Sequence, residues 1–364
     1  MALTIGAAFI PTVTLAQSNP PADVTVYGRV DLALESNSNG AINRTAVQNF
    51  SSRIGFKGEK KFNNDLSGVF QVETGVAPDD TSQSKTFASR NSFVGLKSQS
   101  MGQLIIGTHD MPLKSMDGTA TGLWGEGDLQ ELIVHGKGSK SASNSGAAAA
   151  FDNVHTRKTN MLLYTSPKFS NVTAKLAYSP DEASLAATAT VPGYGKPMVG
   201  ASIAYDDGSW NAGYAYQSQE NFIAPTATTG GTALTASKVT LGLKLDALTA
   251  GVAISTIDNN ASGTNNRKTS NWIISAAYAM GPTTLKASFG ASGESFGGAA
   301  DDLTAAAVEV DYAFDKGFTL YTYYAAIKNG KNAKGSFAAA DNFPAVAKAG
   351  DSPTALGFGI RYNF

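Results

Sequence analysis

The sequence has 364 residues, a formal net charge of −1 and no cysteine. A charge this close to zero gives no basic excess for nucleic acid, and the absence of thiols favours an oxidising compartment. With 38 glycines and only 16% charged residues, the composition is poor for a helical enzyme and typical of many strands joined by turns.

The first residues, MALTIGAAFIPTVTLAQS, are mostly apolar and end in small residues. Thr14-Leu15-Ala16 matches a small-x-small cleavage site, so residues 1–16 are predicted to be a signal peptide and Gln17 to start the mature chain. Basic residues usually precede such a segment and are missing here, so its start is expected to be incomplete. The alternative is a buried N-terminal strand or helix. Residues 17–364 are predicted to form one domain.

From Asp23 onward, apolar residues recur at every second position, which predicts strands with one apolar and one polar face. In VTVYGRVDLALE, for example, Val24, Val26 and Val30 alternate with Thr25 and Tyr27. About sixteen strands are predicted, near residues 24–35, 52–62, 66–75, 89–98, 102–109, 159–166, 172–179, 197–206, 210–218, 237–245, 247–256, 271–280, 283–293, 302–314, 318–327 and 352–364.

The connections between these strands alternate between short and long along the chain. The short ones are rich in Gly, Asp, Asn and Pro, which is typical of tight turns. The long ones cover residues 36–51, 76–88, 110–158, 180–196, 219–236, 257–270, 294–301 and 328–351. This alternation predicts an up-and-down antiparallel sheet with its tight turns at one rim and its long loops at the other.

A closed barrel of about sixteen strands encloses more volume than inward side chains can fill, so its polar face lines water. The apolar face then meets a bilayer, in which a closed barrel leaves no strand edge exposed to lipid. The chain ends in LGFGIRYNF, with Tyr362 and Phe364 on the apolar face. The last strand is predicted to pair with the first and to place Phe364 on the lipid face at the tight-turn rim.

Aromatic residues near strand ends are predicted to form girdles at the two membrane interfaces. They are Phe62, Tyr178, Tyr205, Trp210, Tyr278, Phe314, Phe318 and Tyr362. Apart from Tyr27 and a few ambiguous positions, the aromatic residues are expected on the lipid face. This expectation disfavours a sugar channel, which would need aromatic residues along the lumen.

The segments VYGRVDLALE, SRIGFKGEKKFNNDLSGVFQVETG, RNSFVGLKS, GQLIIGTHD and GFGIRYNF resemble the trimeric, sixteen-stranded general diffusion porins of Gram-negative outer membranes. The resemblance covers the mature chain. It implies an outer-membrane channel for passive diffusion of small hydrophilic solutes and ions. It also implies a homotrimer in contact with membrane lipid and lipopolysaccharide, and a C-terminal signal at Tyr362 and Phe364 that is read by the barrel-assembly machinery. Strands 89–98 and 102–109, apolar on both faces, are where a subunit contact is easiest to build; their inward residues could instead pack a folded-in loop.

The same resemblance assigns a role to residues 110–158, since the third long loop of these porins folds into the lumen and narrows it. A basic ladder stands opposite that loop in the family, and the matching positions here are Arg29, Arg53, Arg90 and Arg157. The acids expected to face them, with Asp110 at the start of the loop, are Asp117, Glu126, Asp128 and Glu131. The family's PEFGG-like loop tip is absent. The ladder leans the pore toward anions and the acids could cancel this, so both charge preferences stay open.

Other functions are weighed against the channel. The three histidines, His109, His135 and His155, have no metal-binding spacing, so no catalytic residue, metal or cofactor is predicted. A substrate-specific channel and a non-channel barrel or adhesin that binds through its long loops remain the alternatives.

Overall fold

A computed structural model of the chain describes residues 23–80, 86–116, 154, 156–182, 184–188, 191–258, 268–294, 299–337, 343–344 and 346–364. These residues contain seventeen strands. The first nine are β1 (Asp23–Ser38), β2 (Asn43–Asn49), β3 (Arg53–Lys61), β4 (Leu66–Gly75), β5 (Ser92–Ser98), β6 (Gly102–Asp110), β7 (Arg157–Thr165), β8 (Val172–Ser179) and β9 (Met198–Asp206). The remaining eight are β10 (Trp210–Ile223), β11 (Thr232–Leu245), β12 (Leu248–Asp258), β13 (Lys268–Met280), β14 (Thr283–Ser292), β15 (Leu303–Ala313), β16 (Phe318–Asn329) and β17 (Thr354–Asn363). Within the described ranges, no helix is both long and apolar enough to cross a membrane.

Every strand pairs antiparallel with its neighbours, and the sheet closes on itself. The last strand, β17, pairs with β1 from Arg29 opposite Asn363 to Ser38 opposite Thr354. Two backbone hydrogen bonds between Gly28 and Phe364, of 2.9 and 3.1 Å, extend this seam to the final residue. The predicted pairing of the last strand with the first is therefore confirmed.

The seventeen strands make a barrel of sixteen, because β2 and β3 are two halves of one interrupted strand. Both pair with β1: β2 with its second half and β3 with its first. The interruption lies at residues 50–52, where Ser51 has a φ of 59°. The prediction of a long loop at 36–51 is wrong, since β1 and β2 run on as a hairpin and only residues 39–42 connect them. The Asn39 side chain closes this turn by accepting hydrogen bonds from the backbone N–H groups of Ala41 and Ile42.

The short connections lie together at one end of the barrel, the tight-turn rim. They are residues 62–65, 99–101, 166–171, 207–209, 246–247, 281–282 and 314–317. The opposite end, the long-loop rim, carries the connections 76–91, 111–156, 180–197, 224–231, 259–267, 293–302 and 330–353. Apart from the β1–β2 hairpin, the predicted alternation of short and long connections is confirmed.

Exposure alternates along the strands as the period of two predicts. On β1, Val30 and Leu34 face outward and are exposed, whereas Asp31, Ala33 and Glu35 face inward and are buried. The outward face is apolar around the ring, as a barrel in contact with lipid requires. At the tight-turn rim, five aromatic rings follow one another at centroid distances between 5.0 and 6.1 Å. They are Tyr312, Phe314, Phe318, Tyr362 and Phe364, of which Phe314, Phe318 and Tyr362 were predicted to belong to a girdle.

Candidate functional site

Two arginines meet on one inward carboxylate. Arg53 of β3 and Arg90, just before β5, both face the side chain of Glu73 on β4. The Arg90 Nε atom donates a hydrogen bond to Glu73 Oε1, and the Arg53 Nε atom lies 3.8 Å from Glu73 Oε2. The Tyr27 hydroxyl donates to the same Oε2 atom at 3.0 Å. Glu73 thus holds two guanidinium groups and a phenol on one patch of the inner wall.

Arg29 extends this patch onto β1, where it lies directly opposite Arg53 in the β1–β3 pairing. Its Nε atom donates to Asn363 Oδ1 at 2.8 Å, so its side chain bridges the seam between the first and last strands. Tyr27, Arg29, Arg53, Glu73 and Arg90 form what we call the arginine sector. The structure brings three of the four predicted ladder arginines together in it.

The fourth arginine, Arg157, lies at the base of the long connection 111–156. Its Nη2 atom lies 3.1 Å from Asp110 Oδ1, and its Nε atom donates to Asn91 Oδ1 at 2.7 Å. Lys114 also approaches Asp110, at 3.3 Å. Arg157 therefore faces an acid at the start of the loop, and Asn91, next to Arg90 in sequence, links it to the arginine sector.

The start of this long connection lies against the inner wall. An added Cβ at Gly200 on β9 would lie 2.8 Å from Met111 Cε, and one at Gly213 on β10 would lie 2.6 Å from Met116 Sδ. Leu113 is fully buried in a cluster with inward residues of β10, β11 and β12, and Val154, near the other end of the connection, joins it. The ends of the connection thus enter the barrel across at least three strands. Asp117, Glu126, Asp128 and Glu131, the acids predicted to face the arginines, lie outside the described residues.

Met111 also explains why strands 89–98 and 102–109 looked apolar on both faces. Their inward residues Phe93 and Ile105 pack in a cluster that contains Met111, Met161 and Leu163. These inward positions therefore pack the loop that enters the barrel.

A second charged network lies on the inner wall around β17, and the sequence analysis missed it. Arg361 donates from Nε to Asp31 Oδ2 at 2.9 Å and lies within 3.7 Å of carboxylate oxygens of Glu309 and Asp311. Lys286 approaches the latter two acids at 2.8 and 2.7 Å. Asp31 is 0% exposed and Arg361 6% exposed, so this network is buried.

Two tyrosines of β16 fasten the network to β1. The Tyr321 hydroxyl donates to Asp31 Oδ1 and the Tyr323 hydroxyl to Glu35 Oε2, both at 2.6 Å. To reach β1 the rings cross β17 above Gly359 and Gly357, where an added Cβ would lie 2.1 and 2.3 Å from the ring carbon Cζ. These contacts explain both glycines of the terminal GFG motif. We call the charged network and the groups that the two tyrosines join to it the covered sector. It consists of Asp31, Glu35, Lys286, Glu309, Asp311, Tyr321, Tyr323 and Arg361.

The two tyrosines also correct an expectation. Aromatic residues were expected almost entirely on the lipid face, yet Tyr321, Tyr323 and Phe50 are inward and at most 3% exposed. The Phe50 and Tyr323 rings meet edge to face, with their centroids 6.0 Å apart. On β16, tyrosines occupy both strand faces, with Tyr321 and Tyr323 inward and Tyr324 outward, so aromatic character alone does not identify the lipid face. Glu73 was not predicted because it lies on β4, whereas the resemblance assigns the acids of the constriction to the long loop.

Within the described part of the chain, no group of three or more histidine, cysteine, aspartate or glutamate side chains is arranged to hold a metal ion. The His109 ring lies against that of Phe93 at a centroid distance of 5.6 Å and an interplanar angle of 52°, and its Nδ1 atom lies 2.9 Å from the Asp110 carbonyl oxygen. His135 and His155 lie outside the described residues. The single described histidine thus sits beside backbone and an aromatic ring in the loop base.

Comparison with known proteins places this chain in a family. Residues 2–332 match the family model described as Gram-negative porin. The chain is 25% identical over 281 residues to the major outer membrane protein P.IB of Neisseria lactamica, a match that covers 74% of this chain and 76% of the relative. The match to the protein of the same name from Neisseria gonorrhoeae is also 25% identical but covers only 44% of that relative's length.

Solved structures share the fold at lower identity. An anion-selective porin from Comamonas acidovorans superposes with a TM-score of 0.75 at 21% identity, covering 94% of this chain and 100% of that one. OmpT of Vibrio cholerae, an outer membrane protein in a trimer form, gives a TM-score of 0.66 at 15% identity, covering 95% of this chain and 100% of that one. The family match over most of the sequence, together with the closed barrel of sixteen strands, shows that this chain belongs to the Gram-negative porin family and has the fold of an outer-membrane diffusion channel.

Proposed function

We propose that the chain forms a water-filled channel through which small hydrophilic solutes and ions diffuse passively. The observation that carries this proposal is the convergence of Arg53 and Arg90 on Glu73 at the inner wall of a barrel whose outer face is apolar. Diffusion through such a pore needs no chemistry, because the bore and the local field select the solute. The family likewise indicates a channel and not an enzyme.

We infer that the narrowest section lies between the arginine sector and the connection 111–156. The inward course of Met111–Met116 and the Arg157–Asp110 ion pair support this placement. Asp117, Glu126, Asp128 and Glu131 are the acids that would complete the constriction on the loop side. Opposed charges across a narrow section create a transverse field, which hinders bulky apolar solutes more than small hydrated ions because their entry displaces ordered water.

A weak anion preference follows from which charges solvent can reach. The side chains of Arg53 and Arg90 are 22% and 26% exposed. By contrast, the inward acids Asp31, Glu35 and Glu309 are at most 1% exposed and are held by internal partners. Among these described inner-wall groups, the accessible charge is therefore positive. The anion-selective porin of C. acidovorans, which shares the fold, is consistent with this assignment.

The test is the zero-current potential of single channels in a salt gradient. Replacing both Arg53 and Arg90 by Gln removes two accessible cations and should shift this potential toward cations, because lumen substitutions tune selectivity. Arg44→Gln is the matched control, since Arg44 is exposed near the long-loop end of β2 and lies outside the arginine sector. A double variant whose potential equals that of the wild type would refute the constriction at these arginines.

We further propose a homotrimer in contact with outer-membrane lipid and lipopolysaccharide. The trimer form of the V. cholerae relative supports the oligomeric state. A protein that migrates as a monomer on unheated gels and cross-links as a monomer would contradict it.

We also propose that Tyr362 and Phe364 are read by the barrel-assembly machinery and that residues 1–16 are removed as a signal peptide. Replacing Phe364 by Ser should lower the yield of folded barrel in cells more than it lowers refolding of purified protein.

A substrate-specific sugar channel is the second candidate, and the described inner wall does not favour it. Its inward aromatic rings at Phe50, Tyr321 and Tyr323 are buried and unavailable to a passing solute. Ion conductance in a planar bilayer distinguishes a porin from a plugged barrel or an adhesin, because only an open channel conducts.

A further inference from the structure

The inner wall near the long-loop rim has an apolar patch on β15, β16 and β17. Its inward residues Leu303, Ala305, Ala325, Ile327 and Ala355 are at most 2% exposed. Inward positions of a water-filled barrel are normally polar. Apolar side chains at these positions are stable only if another part of the chain excludes water from them.

The connection between β16 and β17 supplies that cover. Phe337 is 4% exposed within the same cluster, and Phe343 packs against it. The two rings meet edge to face with centroids 4.9 Å apart. The cluster continues from Ala253 on β12 to Ala33 on β1. This connection therefore packs against an inner-wall sector that includes the β15–β17 patch.

Polar contacts fasten the connection at the end of β16. The Asn329 side-chain amide donates to the carbonyl oxygens of Gly335, at 3.0 Å, and Asp351, at 2.6 Å. Its Oδ1 atom accepts from the Gly335 N–H at 2.9 Å. A further hydrogen bond joins the Gly350 N–H to the Ala333 carbonyl oxygen at 2.9 Å. One buried amide thus holds the outgoing and returning parts of the connection together.

We propose that the described residues of this connection, 330–337, 343–344 and 346–353, form a second constriction of this channel, fixed on the wall that adjoins the covered sector, and that Phe337, Phe343 and Asn329 set its position. The inference rests on the proposed channel function. Phe337 and Phe343 occupy space inside the barrel on one side, so the water-filled path is displaced away from the β15–β17 wall. The exclusion size is then set by two inward segments, 111–156 and 330–353, and not by the first alone.

The experiment compares single-channel conductance and the swelling of proteoliposomes in sugars of increasing size. The double variant Phe337→Ser and Phe343→Ser weakens the apolar packing of the cover. It should conduct more than the wild type and admit larger sugars. Asn329→Ala, which leaves the two rings in place, removes the fastening and should change conductance in the same direction with a smaller effect. It also keeps the proposal testable if the double variant does not fold.

Thr226→Ala in the connection 224–231 is the control, because Thr226 is exposed and bonds only within its own loop. It should leave both readouts unchanged. If the wild type conducts, and the folded variants have the same conductance and admit sugars of the same maximum size, the second constriction is refuted but the channel function is not. A wild type that does not conduct in a planar bilayer would instead overturn the proposed function.

Discussion

The arginine sector and the covered sector of the inner wall share a structural device. In each, a tyrosine ring crosses a glycine on the neighbouring strand and its hydroxyl binds a carboxylate one strand further on. Tyr27 crosses Gly55 to reach Glu73, as Tyr321 crosses Gly359 to reach Asp31. An aromatic ring laid over a glycine shields backbone that has no side chain of its own and helps fix the strand register.

The two sectors differ in what lies above them. The side chains of Arg53 and Arg90 are 22% and 26% exposed, whereas that of Arg361 is 8% exposed and its partner Asp31 is fully buried. Buried charges that lose a partner are costly, while exposed ion pairs contribute little to stability. We therefore expect the same types of side chain to act on solutes in the arginine sector and to hold strands together in the covered sector.

The largest expected difference follows from removing one guanidinium from each sector. Arg361→Met leaves Asp31, Glu309 and Asp311 buried with one cation fewer, and should lower the free energy of unfolding by about 3–5 kcal/mol. Arg90→Met leaves Glu73 with Arg53 and Tyr27, and should cost about 1 kcal/mol or less. Urea titrations of both variants refolded into lipid vesicles measure the two losses. Equal losses in the free energy of unfolding would mean that burial beneath the β16–β17 connection does not make the charges of the covered sector more important for stability.

A smaller difference is expected at the crossed glycines. Gly359→Ala places a methyl group 2.1 Å from a Tyr321 ring carbon that is buried on both sides, and such overpacking should cost about 1–3 kcal/mol. At Gly55 the corresponding distance to Tyr27 is 2.4 Å, but this ring is only half-buried and has room to swing away. Gly55→Ala should therefore cost about 1 kcal/mol, the net contribution of the Tyr27–Glu73 hydrogen bond.

Gly230→Ala is the control for both glycine variants, because an added Cβ there meets nothing within 4 Å. It should unfold at the same urea concentration as the wild type. Gly55→Ala should also alter single-channel conductance, since it moves Tyr27 away from Glu73, whereas Gly359→Ala should leave the conductance of folded channels unchanged. If Gly359→Ala altered conductance and Gly55→Ala caused the larger loss of stability, the roles given to the two sectors would be wrong.

Most of the barrel could be predicted from the sequence because both of its determinants are local. A period of two fixes the strand faces, and short runs of Gly, Asp, Asn and Pro fix the turns. The prediction failed at β2, whose sequence NRTAVQN has little apolar alternation. This segment is a strand because its partner, β1, extends to Ser38 and pairs with it along Leu32–Ser38. Such pairing is not visible in the polar sequence of β2 itself.

The candidate site was predictable only in part, because residue parity identifies a face and not what covers it. Arg53 and its neighbours could be placed on the inner wall from their position between outward apolar residues. Tyr321 and Tyr323 were expected on the lipid face with the other aromatic residues, and nothing in their spacing shows that they lie inward beneath a connection of the chain. That cover depends on Phe337 and Phe343, which lie in a segment without periodicity. Contacts between a loop and a distant strand face have no signature in sequence spacing.

The smallest expected effect concerns the tight turns, which lie outside the cover and should therefore behave alike in both sectors. The Ser98 hydroxyl and the Ser100 N–H bind the Asp65 carboxylate in the β3–β4 turn, at 2.7 and 2.9 Å, and hold its pKa below the usual range. The N–H groups of Gly317 and Phe318 lower the pKa of Asp315 in the β15–β16 turn in the same way, each at 2.7 Å. Asp315 is exposed and Asp65 is half-buried.

The sign of the resulting pH dependence follows from these lowered values. A carboxyl group with a lower pKa in the folded state stabilises the fold at pH values above its unfolded pKa, near about 4, and this contribution is lost as the pH falls through the folded value. In Asp65→Asn and Asp315→Asn, the amide oxygen still accepts turn hydrogen bonds but no longer titrates. Each variant should therefore weaken the fall in the urea midpoint below about pH 4 by a similar, small amount. A fall that is weakened only by Asp315→Asn would show that the difference between the two sectors extends beyond the cover and into the turns beneath them.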